Sequence, residues 1–259
     1  MTTKVVILCG GMGTRLKEET EYRPKPMVQI GGRPILWHIM NIFASHGLKE
    51  FVLCLGYKGE MIKEYFQNFG IHNNDFTIKM SHPQDITYHS DNTIDWTITL
   101  ADTGAASLKG ARLKKIEKYI DDDIFLTSYG DSLGNIDVSS LIDFHKRHGK
   151  IATITGINPT SRFGEIKFKG DKVISFREKP KSLKTLVNGG FMVFRKEIFN
   201  YLTDADTCDL EYGPLEKLAR DGQLMIFKHE GFWACMDTIR DMEYLNELWN
   251  SNNAGWVLH

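Results

Sequence analysis

The feature that most constrains the fold is a short apolar run that stops at a pair of glycines. Val5–Cys9 is continuously apolar and rich in β-branched residues, which is typical of a strand buried on both faces. Gly10, Gly11 and Gly13 follow it at once. Because strands of this kind occur in parallel sheets covered by helices, the run predicts the central strand of an α/β sheet, with a glycine loop at its carboxyl end.

Helix and strand patterns alternate after this loop. Apolar residues at helical spacing predict a helix over Pro34–His46, with Gly47 closing it, and Phe51–Leu55 repeats the buried-strand pattern. The next predicted elements are a helix at Gly59–Phe69, strand-like pieces at Phe76–Met80 and Trp96–Leu100, a helix at Ala111–Tyr119, a strand at Ile124–Ser128 and a helix at Val138–His148. His145 and His148 are predicted to lie on a solvated face of the last helix. The alternation predicts a parallel sheet with right-handed crossovers.

The pattern becomes more antiparallel after about residue 157. Strand-like stretches occur at Phe163–Phe168, Lys172–Arg177, Gly190–Phe194 and Leu224–Lys228, and helices are predicted at Glu211–Asp221 and Thr238–Trp249. We expect a single domain over residues 1–259, with a nucleotide-type core at about 1–157 and a smaller substrate-side lobe with C-terminal helices at about 158–259. The polar stretch Ser81–Asp95 is predicted to be a protruding loop or hairpin.

Composition and charge exclude several classes of protein. The 259 residues are 42% hydrophobic and 25% charged, which is ordinary for a globular protein, so disordered, collagen-like and coiled-coil chains are excluded. Lys and Arg total 32 against 33 for Asp and Glu, a net charge of −1 that disfavours nucleic-acid binding. No apolar run approaches the ~20 residues of a membrane span. We therefore expect a soluble, cytoplasmic protein with no nucleic-acid or membrane partner.

The first loop carries the strongest chemical signal. Glycines at a strand end let backbone N–H groups approach a phosphate chain, and Arg15 and Lys25 would add positive charge. A tight structural turn uses the same glycines, so the loop alone leaves both interpretations open. The P-loop pattern G-x-x-x-x-G-K-[ST] is absent, and Leu16 stands where a dinucleotide-binding loop needs its third glycine. A nicotinamide-dependent oxidoreductase is therefore disfavoured.

The motifs taken together resemble the signature of the sugar-1-phosphate nucleotidyltransferases, and within that family the chain is most similar to the cytidylyltransferases. The matching segments are Gly10–Leu16, Pro24–Met27, Gly31–Met40, Gly56–Gly59, Asp102–Gly104, Glu178–Lys181, Asn188–Phe191 and Gly231–Trp233. The resemblance covers almost the whole chain. Two places depart from it: Ser132 stands where the family usually has glycine, and Ser81–Asp95 is unlike the family's sequences.

The resemblance implies a Rossmann-like nucleotidyltransferase fold of class α/β, with a central mixed, mostly parallel sheet and a smaller sugar-binding lobe. It also implies a Mg²⁺-dependent homo-oligomer that joins CTP and α-D-glucose 1-phosphate to give CDP-glucose and pyrophosphate. An oxygen of the sugar phosphate would attack the α-phosphorus of the nucleotide. Because the second pKa of a phosphate monoester is about 6, the attacking oxygen is already largely deprotonated at neutral pH and no general base is needed. The site must instead supply cations, backbone donors and a divalent ion, which reduce the repulsion between the two polyanions and align them.

The resemblance also assigns roles to individual residues. The implied catalytic residues are Arg15, Lys25 and Asp131, and the implied metal ligands are Asp131 and Asp237. The implied nucleotide-binding residues are Leu8, Gly10, Gly11, Met12, Gly13, Thr14, Arg15, Lys25, Thr103, Gly104, Arg112 and Gly130. The implied sugar-phosphate contacts are Gly164, Glu178, Lys179, Asn188 and Gly189.

Plainer alternatives stay open at this point. Asp237 could serve only to N-cap the helix that follows it, and Glu178 and Lys179 could form only a surface ion pair. Three other functions are compatible with the motifs: the same reaction with another nucleotide or phosphorylated acceptor, a metal-dependent glycosyltransferase that releases no pyrophosphate, and a non-catalytic nucleotide sensor.

Overall fold

The computed structural model describes residues 3–90, 93–158, 165–177 and 186–257. Its strands are β1 (Val5–Leu8), β2 (Gln29–Ile30), β3 (Arg33–Pro34), β4 (Glu50–Leu55), β5 (Phe76–Lys79), β6 (His82–Tyr88), β7 (Thr97–Asp102), β8 (Ile124–Tyr129), β9 (Ser132–Gly134), β10 (Ala152–Ile157), β11 (Glu165–Lys169), β12 (Lys172–Arg177), β13 (Val187–Arg195), β14 (Leu224–His229) and β15 (Trp233–Cys235). Its helices are α1 (Lys17–Thr20), α2 (Ile35–Ala44), α3 (Gly59–Gln67), α4 (Phe69–Asn73), α5 (Lys109–Lys115), α6 (Val138–His148), α7 (Glu216–Arg220) and α8 (Ile239–Asn250). Within these ranges no helix is both long and apolar enough to cross a membrane.

The main sheet is mixed and mostly parallel, as predicted. In the described part of the chain it has seven strands in the order β14-β10-β13-β8-β1-β4-β7. β8, β1, β4 and β7 run parallel to one another, β10 runs parallel to β14, and β13 is antiparallel to both of its neighbours. β1 is an interior strand, but the middle position belongs to β8, so the expected central position of β1 was off by one strand.

Helices cover both faces of the sheet, which explains the continuous apolar run at the start of the chain. Val5 and Ile7 pack on one side in a core that includes residues of α2 and α8. Val6 and Leu8 pack on the other side with residues of α5 and α7. Because successive side chains of a strand point to opposite faces, every residue of β1 must be apolar.

The second part of the chain shares this sheet. β13 and β14 lie beyond residue 157, yet β13 inserts between β8 and β10, and β14 forms an edge next to β10. Gly189–Phe194 is buried throughout, so this strand needs an interior position. The expected boundary near residue 157 therefore does not divide the sheet, although β11 and β12 form a separate two-stranded pair.

The region between β4 and β8 contains a hairpin that coincides only partly with the one expected at Ser81–Asp95, because its first strand, β5, precedes that stretch. β5 and β6 pair antiparallel, with Phe76 opposite Tyr88, and their residues are mostly exposed. Trp96–Leu100 is not part of the hairpin, because β7 joins the main sheet beside β4.

The predicted helix at Glu211–Asp221 is interrupted near its start. Tyr212 and Gly213 have non-helical backbone angles, with φ of +111° at Gly213, and regular helix begins only at Glu216. This positive φ favours glycine, and Pro214 lacks the N–H needed to extend a helix backwards. The prediction of one continuous helix was therefore wrong.

The prediction that His145 lies on a solvated face was also wrong. His145 is fully buried, its Nδ1 atom lies 2.8 Å from Thr153 Oγ1, and His148 Nε2 lies 2.7 Å from the same oxygen. Burial, followed by the nearby His148 and Arg195, lowers the pKa of His145 to about 4. Because α6 packs on β10, this face of the helix is internal.

We expect the free energy of unfolding to fall as the pH is lowered from about 6.5 toward 4. His145 takes up a proton at its ordinary pKa of 6.5 in the unfolded chain but only near 4 in the folded one, so the unfolded state binds more protons in this interval. Urea unfolding at pH 7, 6 and 5 should therefore give a smaller pH slope for His145→Gln than for the native chain. His82→Gln, on the exposed hairpin, is the control and should keep the native slope. An unchanged slope in His145→Gln would contradict the assignment.

Candidate active site

The candidate site lies where β1 and β8 end. These strands are parallel neighbours, so the glycine loop after β1 and the Gly130–Asp131 segment after β8 emerge at the same sheet edge. Two pockets of about 220 and 490 Å³ open there and share Leu8, Gly11, Arg15, Gly130 and Asp131 in their walls. We call the two together the cleft.

Lys25 lies between two carboxylates at the bottom of the cleft. Its Nζ atom is 2.7 Å from Asp131 Oδ2 and 2.7 Å from Asp237 Oδ1, and Arg15 Nη1 is 2.6 Å from Asp237 Oδ2. Burial disfavours the charged ammonium, but the attraction of Asp131 and the hydrogen bonds to both carboxylates outweigh it and raise the pKa of Lys25. The Lys25 side chain therefore stays positively charged although it is buried.

Strand pairing brings Asp237 to this cluster. β15 pairs with β9, which follows Asp131, and the Met236 N–H donates to the Asp131 carbonyl at 2.9 Å. The N-cap of α8 is Thr238, whose Oγ1 accepts the Asp241 N–H while Asp241 Oδ2 accepts the Thr238 N–H. The alternative that Asp237 serves as the helix cap is thus wrong, and its carboxylate bonds Lys25 and Arg15.

The two aspartates form a donor set suited to a hard divalent cation. Oxygens of Asp131 and Asp237 and the sulfur of Cys235 all lie within 4.8 Å of one another. Mg²⁺ takes one or two protein carboxylates and completes its shell with phosphate oxygens and water. Burial and the nearby Asp131 raise the pKa of the Cys235 thiol, which is then a poor ligand for such an ion. The residues present therefore fit Mg²⁺ through the two carboxylates.

Ser132 supports Asp131 directly. Its hydroxyl donates to Asp131 Oδ1 at 3.1 Å, and its side chain is buried. The serine that departs from the family's usual glycine thus helps to orient a predicted metal ligand.

Two glycines of the first loop are required by close packing. Gly13 has φ of +63°, and a Cβ atom there would lie 2.7 Å from Thr20 Cγ2 and 3.1 Å from Lys25 Cβ. A Cβ on Gly10 would overlap the Arg112 guanidinium. A Cβ on Gly11 would meet no atom within 4 Å, and Gly11 faces the cleft. The loop therefore presents bare backbone to a ligand.

Arg112 fastens the segments that form one wall of the cleft. Its guanidinium is almost fully buried and donates to the carbonyls of Gly10, Leu55 and Gly104 at 2.8–3.0 Å and to Thr103 Oγ1 at 2.8 Å. These acceptors follow or end β1, β4 and β7. The geometry thus gives Arg112 a structural function, and its implied contact with the nucleotide stays a prediction.

The family model described as nucleotidyl transferase matches residues 4–244. The chain belongs to this nucleotidyl transferase family. It is 48% identical over 254 residues to the glucose-1-phosphate cytidylyltransferase of Salmonella typhimurium and 42% identical over 253 residues to the probable glucose-1-phosphate cytidylyltransferase of Bacillus subtilis, with 98% of each chain covered in both comparisons.

Solved structures show the same fold at low sequence identity. A UDP-glucose pyrophosphorylase complexed with UDP-glucose has a TM-score of 0.70 at 14% identity, covering 97% of this chain and 100% of the other. HddC from Yersinia pseudotuberculosis has a TM-score of 0.68 at 23% identity, covering 96% and 100%. Likeness at this level supports the α/β nucleotidyl transferase fold alone.

Most of the site residues that were predicted from the sequence of this nucleotidyl transferase lie in the cleft. Those that line it are Leu8, Gly10, Gly11, Gly13, Thr14, Arg15, Lys25, Arg112, Gly130, Asp131, Asn188 and Asp237. Met12 is exposed, and Thr103 is buried behind Arg112. Gly189 accepts a hydrogen bond from Trp233 Nε1 at its carbonyl, and a Cβ there would lie 2.8 Å from Ile157 Cγ2. Gly164, Glu178 and Lys179 lie outside the described residues.

Sequence reasoning missed several lining residues of the larger pocket. These are Ser107, Leu108, Lys109, Tyr129, Ser132, Asp209 and Cys235. Tyr129 and Ser132 flank Gly130–Asp131, so their place beside a predicted ligand was a usable signal. Asp209 has no such signal, because it reaches the cleft from a distant part of the chain.

We expect Arg112→Lys to lower the free energy of unfolding by about 2–4 kcal/mol. A lysine carries its donors on one atom and cannot reach carbonyls at the ends of three strands, so buried acceptors lose their partners. Urea unfolding of the native chain and the variant measures the loss. Arg220→Lys, on the exposed side of α7, is the control and should change stability little. Equal unfolding midpoints for the native chain and Arg112→Lys would contradict this function of Arg112.

Proposed function

We propose that this nucleotidyl transferase joins CTP and α-D-glucose 1-phosphate to give CDP-glucose and pyrophosphate. The observation that carries the proposal is the 48% identity, over 98% of both chains, to an enzyme named glucose-1-phosphate cytidylyltransferase. The cleft supports the reaction class, because it combines bare loop backbone, two cations and two carboxylates at one sheet edge.

The chemistry requires two polyanions to meet. An oxygen of the sugar phosphate attacks the α-phosphorus of CTP, the bond from that phosphorus to the bridging oxygen breaks, and pyrophosphate leaves. The main barriers are charge repulsion and alignment in line. Lys25 lies deep in the cleft and would neutralise charge near the reacting phosphorus. Arg15 has a side chain that is 73% exposed, so it can reach the terminal phosphates at the cleft mouth.

We propose that Asp131 and Asp237 hold Mg²⁺ in this reaction. When bound, the ion would supply positive charge to the phosphate oxygens and help fix their geometry. The protein's own contribution is to orient the carboxylates: Ser132 does so for Asp131, and the pairing of β15 with β9 does so for Asp237.

A pyrophosphate-release assay tests the proposal. CTP, UTP, GTP, ATP and dTTP are each offered with glucose 1-phosphate and with other sugar and polyol phosphates. We expect the highest kcat/KM for CTP with glucose 1-phosphate. Fast release with another pair alone would overturn the substrates but keep the reaction class. Consumption of a nucleotide sugar without pyrophosphate release would indicate a glycosyltransferase, and CTP binding without turnover would indicate a sensor.

We expect Asp131→Ala to lower kcat by roughly 10²–10³-fold with Mg²⁺ while the protein stays folded. The change removes a proposed metal ligand at a strand end and leaves the apolar core intact. Pyrophosphate release and thermal melting are measured side by side. Asp143→Ala, on an exposed face of α6, is the matched control and should keep full activity. Near-native turnover of Asp131→Ala would refute the metal assignment.

We expect Lys179→Ala and Lys25→Ala to act on different substrates. The sequence motif assigns Lys179 to the sugar phosphate, so its loss should raise the KM of glucose 1-phosphate and leave that of CTP within about twofold. Lys25→Ala should raise the KM of CTP and lower kcat together. Each lost charge-assisted contact corresponds to roughly ten- to a hundred-fold in kcat/KM. Steady-state kinetics, with the concentration of each substrate varied in turn, measures these constants. A change in the KM of CTP alone for Lys179→Ala would overturn the assignment of Lys179 to the sugar phosphate.

We propose that the enzyme is a homo-oligomer that buries its hairpin. Phe76, Ile78 and Met80 are exposed by 37, 38 and 79%, an unusual set for a free surface. A mostly apolar groove of about 620 Å³ is formed by the segments that precede and follow the hairpin in the chain, and it is lined by Lys63, Phe66, Gln67, Phe69, Ile94, Trp96, Ile98 and Leu100. Light scattering gives the molar mass, and a value of one chain would contradict the proposal.

A further inference from the structure

A directed chain of hydrogen bonds crosses the acceptor side of the cleft. The Tyr129 hydroxyl donates to a carboxylate oxygen of Glu211. Asn188 Nδ2 donates to the Tyr129 hydroxyl at 3.1 Å, and Asn188 Oδ1 accepts the Gly190 N–H at 3.0 Å. Tyr129 and Asn188 line the larger pocket, whereas Glu211 lies behind them. The order from the wall to the cleft is therefore Glu211, Tyr129, Asn188.

The chemistry of these groups sets the direction of the chain. An ionised carboxylate can only accept, so the Tyr129 proton must point to Glu211. The hydroxyl oxygen can then only accept from Asn188, which requires the Nδ2 end of the amide to face Tyr129. The Gly190 N–H demands the same orientation from the other side, because it needs the Oδ1 end. One N–H of the Asn188 amide is thus used, and the other has a defined direction.

Packing and charge hold this chain in place. Gly190 has φ of +84°, and a Cβ atom there would lie 2.7 Å from Tyr129 Cδ2, so the Tyr129 ring lies directly against this glycine. Lys109 Nζ is 2.6 Å from Glu211 Oε1 and 5.4 Å from the centre of the Tyr129 ring. The ammonium thus balances the half-buried Glu211 carboxylate and also lies over the face of the Tyr129 ring. These contacts leave the Tyr129 hydroxyl little freedom.

We propose that Glu211 is a positioning residue for the acceptor and that it acts through Tyr129. In this arrangement Glu211 orients the Tyr129 hydroxyl, Tyr129 orients the Asn188 amide, and the second N–H of that amide donates to a hydroxyl of the sugar phosphate. The inference rests on the proposed function, because it takes Asn188 as a contact of the acceptor sugar. It adds a residue 82 positions away from Tyr129 in the chain, with no motif of its own.

The test uses Tyr129→Phe, Glu211→Gln and the double variant. The chain offers a matched control pair, because the Tyr201 hydroxyl donates to Asp221 Oδ2 at 3.0 Å on the surface, outside the cleft. Tyr201→Phe and Asp221→Asn remove the same kind of bond. The KM of each substrate and kcat are measured for all variants, together with thermal melting.

We expect Tyr129→Phe to raise the KM of glucose 1-phosphate by about five- to tenfold and to leave the KM of CTP within about twofold. Glu211→Gln should change the same constant by less, because an amide oxygen can still accept the Tyr129 proton. The double variant should match Tyr129→Phe alone, since Glu211 then has no hydroxyl to orient. The two control variants should match the native enzyme.

Three results would overturn the inference. These are an unchanged acceptor KM in Tyr129→Phe, an equal rise in the KM of CTP, and an additive effect in the double variant, which would show that Glu211 acts independently of Tyr129. If Tyr129→Phe does not fold, Glu211→Gln and Glu211→Ala alone decide, with the amide expected to rescue most of the acceptor KM. Failure of the proposed function is distinct, since the native enzyme would then lack turnover with CTP and glucose 1-phosphate. In that case calorimetric binding of glucose 1-phosphate to the same variants decides the inference.

Discussion

The structure depends most on the buried ion pairs of Lys25. A cation removed from water is costly unless carboxylates surround it, and Lys25 obtains them from residues 106 and 212 positions away. This requirement brings together the loop after β1, the end of β8 and the segment before α8. The pairing of β15 with β9 serves the same ion pairs through the backbone, because it holds Asp237 within reach of Lys25. Three distant parts of the chain thus form one site.

A second cation, Arg112, performs a different task. Its partners are mainly backbone carbonyls, which have no net charge and belong to segments that end β1, β4 and β7. It therefore stabilises the shape of the cleft, whereas Lys25 and Arg15 interact with carboxylates that we assign to a metal ion. Arg112 is thus a cation that holds the site together, whereas Lys25 and Arg15 are cations available to a polyphosphate. Both kinds are needed, since bare loop backbone must be held rigidly before it can bind phosphate.

The antiparallel insertion of β13 determines the acceptor side. Because β13 lies between β8 and β10, its first residues emerge beside the end of β8, and Asn188 meets Tyr129 there. Glu211 reaches the same place from the kinked segment at Tyr212 and Gly213, which stops regular helix before Glu216. The continuous helix predicted over Glu211–Asp221 would have no such kink beside Glu211. The kink and the strand order together explain why a carboxylate without a motif contacts the cleft wall.

Local signals in the sequence determined much of the fold and of the chemistry. The apolar run of β1, the glycine loop and the bounds of α6 follow from periodicity, capping and glycine placement, all of which act over a few residues. The motif also supplied Arg15, Lys25, Asp131 and Asp237, which the structure brings together. Only the tertiary structure decided that Thr238 caps α8, that His145 is internal and that Glu211 bonds Tyr129. Each of these depends on which surfaces pack against each other, and packing joins residues whose separation along the chain carries no local pattern.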